Sequence, residues 1–187
     1  LVLPSDHLIK FNNMFLNILR DACEVSKNGK NLVTVGIAPT YPETGYGYIK
    51  FDPKKMEGRA YVVERFVEKP NVELAKEYLA TEEYLWNSGM FVWKLSSILY
   101  NIEKLMPDVY GGLKKISDHI GTEQEAETLE KEFRNMPSQS IDYGIMEKAQ
   151  DIFILPGAFG WDDVGSWLAV ERIKRSNELG NVVDGNI

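Results

Sequence analysis

The feature that most constrains this chain is the strand–helix–strand pattern with which it opens. From Leu8 onward, Phe11, Met14, Phe15, Ile18, Leu19 and Ala22 recur at the three- and four-residue spacing of a helix that buries one face. Asn28 and Gly29 supply the stop. A β-rich run from Leu32 to Ala38, bounded by Pro39, follows the helix, and Leu1 to Leu3 precede it as the expected end of a buried strand. Strands joined through a helix are connected as crossovers, which predicts an α/β fold with a largely parallel sheet.

Further strands are expected at Tyr48 to Phe51, Tyr61 to Val67, Met90 to Trp93 and Ile152 to Leu155. Asp52, Pro53 and Gly58 read as a turn, and Asn71 as the cap of a helix carrying Leu74, Ala75, Tyr78 and Leu79. Residues 96 to 135 read as a helical insertion, with Ser96 as one cap and Thr122 with Glu125 as a capping box. Asp142 to Ala149 reads as a short helix, and Trp167 to Arg175 as another, packed through Leu168 and Ile173. Trp161 and Trp167 are expected in the core.

Composition narrows the function. A formal net charge of −7 argues against a nucleic-acid binder, which needs a basic face. No apolar run reaches the roughly 18 residues a membrane span needs, and the single cysteine, Cys23, cannot form an internal disulfide. A soluble protein of the reducing cytoplasm is expected. An anionic ligand would be held locally, by one or two lysines, backbone N–H groups and a divalent cation.

Four polar clusters stand at predicted strand ends, where open α/β sheets bind ligands: Asp6 with His7, Glu68 with Lys69, Asn87, and Asp162 with Asp163. Asp6 and Asp163 suit Mg²⁺, which takes few protein carboxylates, although pattern alone favours reading both as caps. Glu68 and Lys69 pair a hydroxyl acceptor with a phosphate-binding cation, or form a solvated strand end. Asn87 is a hydroxyl ligand or a turn residue, and Gly45 and Gly47 permit close backbone approach or a tight turn. Neither His7 nor His119 reads as catalytic.

The wording of these stretches carries a resemblance. Leu-Pro-Ser-Asp-His (3–7), Thr-Gly-Tyr-Gly-Tyr-Ile (44–49), Phe-Val-Glu-Lys-Pro (66–70), Trp-Asn-Ser-Gly-Met-Phe (86–91), Ser-Ile-Asp-Tyr-Gly-Ile-Met-Glu-Lys (140–148) and Gly-Trp-Asp-Asp-Val-Gly-Ser-Trp (160–167) together resemble the mannose-1-phosphate guanylyltransferases. The resemblance implies a Rossmann-like, GT-A-like nucleotidyltransferase fold, a mixed sheet flanked by helices. It implies transfer of GMP from GTP to mannose-1-phosphate, with Asp6, Lys69 and Asp163 catalytic and Asp6 and Asp163 as Mg²⁺ ligands. Gly47 and Asn87 would contact the sugar, Glu68 its hydroxyls and Lys69 its phosphate.

The family's N-terminal strands and Gly-rich loop, which bind base and triphosphate, have no counterpart in these residues. Residues 1–180 are therefore expected to be a partial nucleotidyltransferase domain, inactive alone, with 181–187 beginning a linker. A nucleotidyltransferase using another nucleoside triphosphate and a non-catalytic sugar-phosphate-binding or regulatory subunit are the alternatives. No membrane or nucleic-acid partner is expected, and the helical block offers a surface for a homo-oligomer.

Overall fold

The computed structural model describes residues 1–174, 177, 181 and 182. Its central strand, β2 (Leu32–Ile37), is buried at every position. β2 runs parallel to β6 (Ile152–Gly157) on one side and antiparallel to β5 (Tyr84–Trp93) on the other. β5 continues to β3 (Tyr48–Glu57), β3 to β4 (Ala60–Val67), and β4 returns to β6, so the five strands close on themselves. A strand buried on both faces reads as a nearly continuous apolar run, and the one polar side chain of Leu-Val-Thr-Val-Gly-Ile, Thr34, donates its hydroxyl to the Met90 carbonyl at 3.1 Å.

The sheet is mixed, with one parallel pairing in place of the largely parallel arrangement that the opening pattern suggests. Leu1 to Leu3 do not form the strand that would have paired beside β2; Val2 makes a single bridge to Phe91, and all three residues are exposed. Leu8–Ile9 also leave the predicted helix and form β1, paired with β7 (Trp161–Asp162). The N–H groups of Lys10 and Phe11 both donate to the Phe159 carbonyl, which holds this turn away from helical geometry. The helix α1 therefore spans Asn12–Ser26 and packs Ala22 and Val25 against Val33, Val92 and Phe153; Cys23 is half-buried on it.

Gly58 turns the chain between β3 and β4 as expected, but the expected turns at Asp52–Pro53 and Asn87–Gly89 are instead continuous strand. β3 runs through Asp52 and Pro53 with a register shift before Met56, a place where a strand tolerates proline. β5 begins at Tyr84, so Asn87, Ser88 and Gly89 lie within it. A register shift between Thr34 and Gly36 accommodates them, and the Ser88 hydroxyl donates to the Val35 carbonyl at 2.7 Å.

Asn71 caps α2 (Val72–Thr81) as read, its side chain accepting from Leu74 N at 2.9 Å. The helical block resolves into α3 (Leu95–Leu105), α4 (Pro107–His119) and α5 (Glu125–Asn135). α3 starts one residue before Ser96, after Lys94, and the Thr122–Glu125 box does not form. The Glu125 carboxylate reaches back to Gly121 N at 2.6 Å instead. Asp142–Met146 forms a single π-helical turn, not a helix to Ala149. The last helix, α6, spans Trp167–Ile173, and Trp167 is 92% exposed rather than in the core. The side chain of Leu168, residue Arg175 and most of the 181–187 segment lie outside the described residues. Among the described residues no helix is long and apolar enough to cross a membrane.

Gly36 fixes the strand spacing at the centre of the sheet. A Cβ there would come within 2.5 Å of Ile154 Cδ1 and 2.8 Å of Leu85 Cβ. Gly36→Ala is therefore expected to destabilise the fold by about 1–3 kcal/mol through overpacking, read as a lower midpoint in urea unfolding.

Candidate active site

Six separate segments converge on one open cleft of about 250 Å³: Pro4 and His7 before β1, the loop Gly45–Gly47 before β3, Glu68 and Lys69 after β4, Asn87–Gly89 in β5, Asp142 on the π-helical turn, and Trp161 with Asp163 at β7. Five of the residues singled out from sequence, Gly47, Glu68, Lys69, Asn87 and Asp163, line it together. Asp6 does not line the cleft; it is exposed in the turn beside His7.

Glu68 is the electrostatic centre of the site. Its side chain is only 10% exposed and its Oε2 is buried without a hydrogen-bond partner, so it is not a solvated strand end. That oxygen lies over Gly47, where a Cβ would sit 2.5 Å from it, so the close approach requires glycine. Burial, and the neighbouring carboxylates of Asp142 and Glu147, push the Glu68 carboxyl up to about 7, with Lys69 opposing. The Lys69 ammonium stands 3.9 Å from Glu68 Oε1 and is itself largely exposed, free to meet an anion. Lys69 has φ +48, an uncommon conformation for a side-chain-bearing residue, of the kind concentrated at functional sites.

The Asn87 amide is held on both sides. Its Nδ2 donates to Asp142 Oδ1 at 2.9 Å, and its Oδ1 accepts from Gly89 N at 3.2 Å with the buried Thr34 hydroxyl 3.3 Å away. Asn87 is thus a mid-strand residue with a fixed orientation, not a turn residue. On the far wall, Asp163 Oδ1 accepts a hydrogen bond from the Tyr46 hydroxyl. Arg172 grips Asp162 through two bonds of 3.0 and 3.1 Å and stands 3.6 Å from Asp163. Neither aspartate caps α6: Asp162 accepts from Val164 N, within its own turn.

His7 takes a larger part than the sequence suggested. Trp161 Nε1 can only donate, and it donates to His7 Nδ1 at 2.9 Å, so in this arrangement the neutral ring carries its proton on Nε2. Burial lowers the His7 pKa, while the charges of Asp6, Asp163 and Asp162 oppose that shift. Trp161 is accordingly a cleft wall, packed edge-on against His7 and Tyr46, rather than core. Asp142, Tyr46 and Trp161 escaped the sequence reading as site residues, although each sits inside one of the quoted stretches.

The acidic end of the cleft fits a divalent cation in kind. Asp163 lines the cleft and Asp6 lies in the turn beside His7, and their hard oxygen donors suit Mg²⁺, whereas both Asp162 oxygens are taken by Arg172. Among the described residues no three His, Cys, Asp or Glu side chains surround a common centre, but Mg²⁺ asks for no such trio because water and phosphate oxygens complete its shell.

The chain belongs to the nucleotidyl transferase family, which it matches over residues 1–178. It is 42% identical over its whole length to mannose-1-phosphate guanylyltransferase RfbM of Salmonella typhimurium, and 42% identical to the xanthan biosynthesis protein XanB of Xanthomonas campestris. It spans 39% of the length of each. Among solved structures, a Thermus thermophilus protein described as a mannose-1-phosphate geranyltransferase superposes with a TM-score of 0.81 at 36% identity, over 92% of this chain and 48% of that one.

Glu68 supplies a test of the site's electrostatics. Below about pH 4.5 the carboxyl is protonated in both folded and unfolded chains; between there and about 7 the unfolded chain loses the proton while the folded chain keeps it. Its burial therefore costs stability progressively as pH rises through that window. Glu68→Gln is expected to match the parent near pH 4.5 and to exceed it by roughly 2 kcal/mol at pH 8, measured by urea unfolding of both proteins.

Proposed function

We propose that the chain takes part in the transfer of GMP from GTP to mannose-1-phosphate, supplying the sugar-phosphate and metal side of the site. The observation that carries this reading is the buried, unpartnered Glu68 oxygen, set in a cleft with Lys69 and Asn87. A sugar offers hydroxyl donors to such a carboxylate, and its phosphate offers a counter-charge to the adjacent lysine. The name of the Salmonella relative, mannose-1-phosphate guanylyltransferase RfbM, agrees with it, and the description of the Thermus structure shares the mannose-1-phosphate.

In this reaction an oxygen of mannose-1-phosphate forms a bond to the α-phosphorus of GTP as the bond to pyrophosphate breaks. The demands are alignment and charge neutralisation. Gly47 gives the sugar access to the floor of the cleft. Asn87, oriented by Asp142, and Glu68 fix the sugar ring, and Lys69 draws the phosphate to one end. Asp163, with Asp6, would hold Mg²⁺, which when bound neutralises phosphate oxygens. Tyr46 sets the direction in which Asp163 faces.

Two measurements test the reading. Mannose-1-phosphate binding followed by calorimetry should weaken at least tenfold in Glu68→Gln and in Asn87→Ala, with Asp163→Asn altering only the Mg²⁺ dependence. GDP-mannose formation from GTP, mannose-1-phosphate and Mg²⁺ should be assayed in this chain and in a version extended upstream. Product in either supports the transferase; binding without product in both favours a regulatory or sugar-phosphate-binding role; neither binding nor product overturns the proposal.

A further inference from the structure

A second polar groove, of about 290 Å³, lies at the opposite end of the sheet from the active-site cleft. Leu32 lines it at the start of β2, and Asp151 immediately precedes β6, whereas Asn87 stands opposite Gly36 near the other end of β2. Lys30, Lys104 and Lys148 surround this groove, against the single carboxylate of Asp151. In a chain of net charge −7 that is a local reversal of sign.

Among the described residues none of the three lysines forms a salt bridge, so none is committed to the groove's one carboxylate, Asp151. Two of the ammonium groups are held together by one aromatic ring: Lys30 Nζ lies 3.2 Å and Lys104 Nζ 5.8 Å from the centroid of Tyr100. Their separation cannot exceed those two distances combined. Three ammonium groups around one groove outnumber its single carboxylate, Asp151, so the groove is net positive, and compact ammonium groups suit phosphate oxygens. The volume admits a small molecule only.

We propose that this groove binds a small phosphate-bearing anion between Lys30, Lys104 and Lys148, and that its occupancy is coupled to the active-site cleft. The connection is the segment 142–151. At its start Asp142 holds Asn87, and Glu147 Oε1 accepts from the Glu68 backbone N–H at 3.1 Å. The next residue, Lys148, faces the groove, followed by Ala149, Gln150 and Asp151 along its wall. An anion drawn to Lys148 acts on the same short stretch that orients Asn87 and seats Glu68. Coupling of this kind is reciprocal.

The coupling half rests on the sugar-phosphate reading of the cleft; the binding half does not. Inorganic tripolyphosphate, titrated calorimetrically without divalent metal, is the probe. Because it can also enter the cleft, Lys104→Ala/Lys148→Ala and Lys69→Ala are compared with the parent. All three positions are exposed, and circular dichroism checks that each variant is folded. At least a tenfold loss of affinity in the double variant, with binding retained in Lys69→Ala, is expected. Parent-like binding in the double variant, or loss confined to Lys69→Ala, overturns the groove as a site. Mannose-1-phosphate affinity should then change at least threefold on saturation with tripolyphosphate, in the parent and not in the double variant; no change refutes the coupling. Failure of mannose-1-phosphate to bind at all refutes the sugar-phosphate reading and the coupling with it, while the tripolyphosphate titrations still decide the groove.

Discussion

Everything in this structure hangs on the close approach of three strands at Gly36. β2 is flanked by β5 on one side and β6 on the other, and Leu85 and Ile154 fill the space that a side chain at Gly36 would need. The same residue stands opposite Asn87, at the register shift that carries Asn87, Ser88 and Gly89 through the strand. The packing of the core and the placement of a cleft-lining amide are therefore one constraint. A helix or loop could hold an asparagine in the cleft, but a strand pinned by its neighbours holds it with less freedom.

The cleft trades stability for chemistry. Glu68, Asp142 and Glu147 crowd three carboxylates near one lysine, and a Glu68 oxygen is left buried without a partner. An apolar or amide side chain there would suit the fold better than a buried carboxylate. Among the described non-glycine residues with positive φ, Lys69 lines the cleft and Val164 follows the cleft-lining Asp163, turning the chain just after Asp162 and Asp163. For a β-branched residue such backbone geometry persists only when its surroundings impose it.

Much of this was legible in the residues. The period of α1, the Asn71 cap, the β2 run and the polar clusters at Gly47, Glu68, Asn87 and Asp163 are local patterns, and local patterns survive folding. What failed depended on partners remote in sequence. Nothing near Leu8 indicates that it will pair with Asp162, and nothing near Asn87 says that its strand continues through a Ser-Gly pair because Gly36 lies opposite. Asp142 read as part of a short helix because its bond to Asn87 joins positions far apart in the chain. Trp161 and Trp167 illustrate the limit in one residue type: large and apolar, one forms a cleft wall and the other stands in solvent.

The closed ring of strands also dictates an order of events. β2 finds its antiparallel partner only when β5 has been made, and its parallel partner β6 follows three more helices and the π-helical turn. Until then the apolar run of β2 has no cover on that side. Pairings so distant in sequence close slowly, because the chain entropy of the intervening loop must be lost before any contact rewards it. During synthesis the early strands would wait as a sticky, incomplete arc, and the arrival of Ile152–Gly157 would be the event that turns a collapsed chain into a native one.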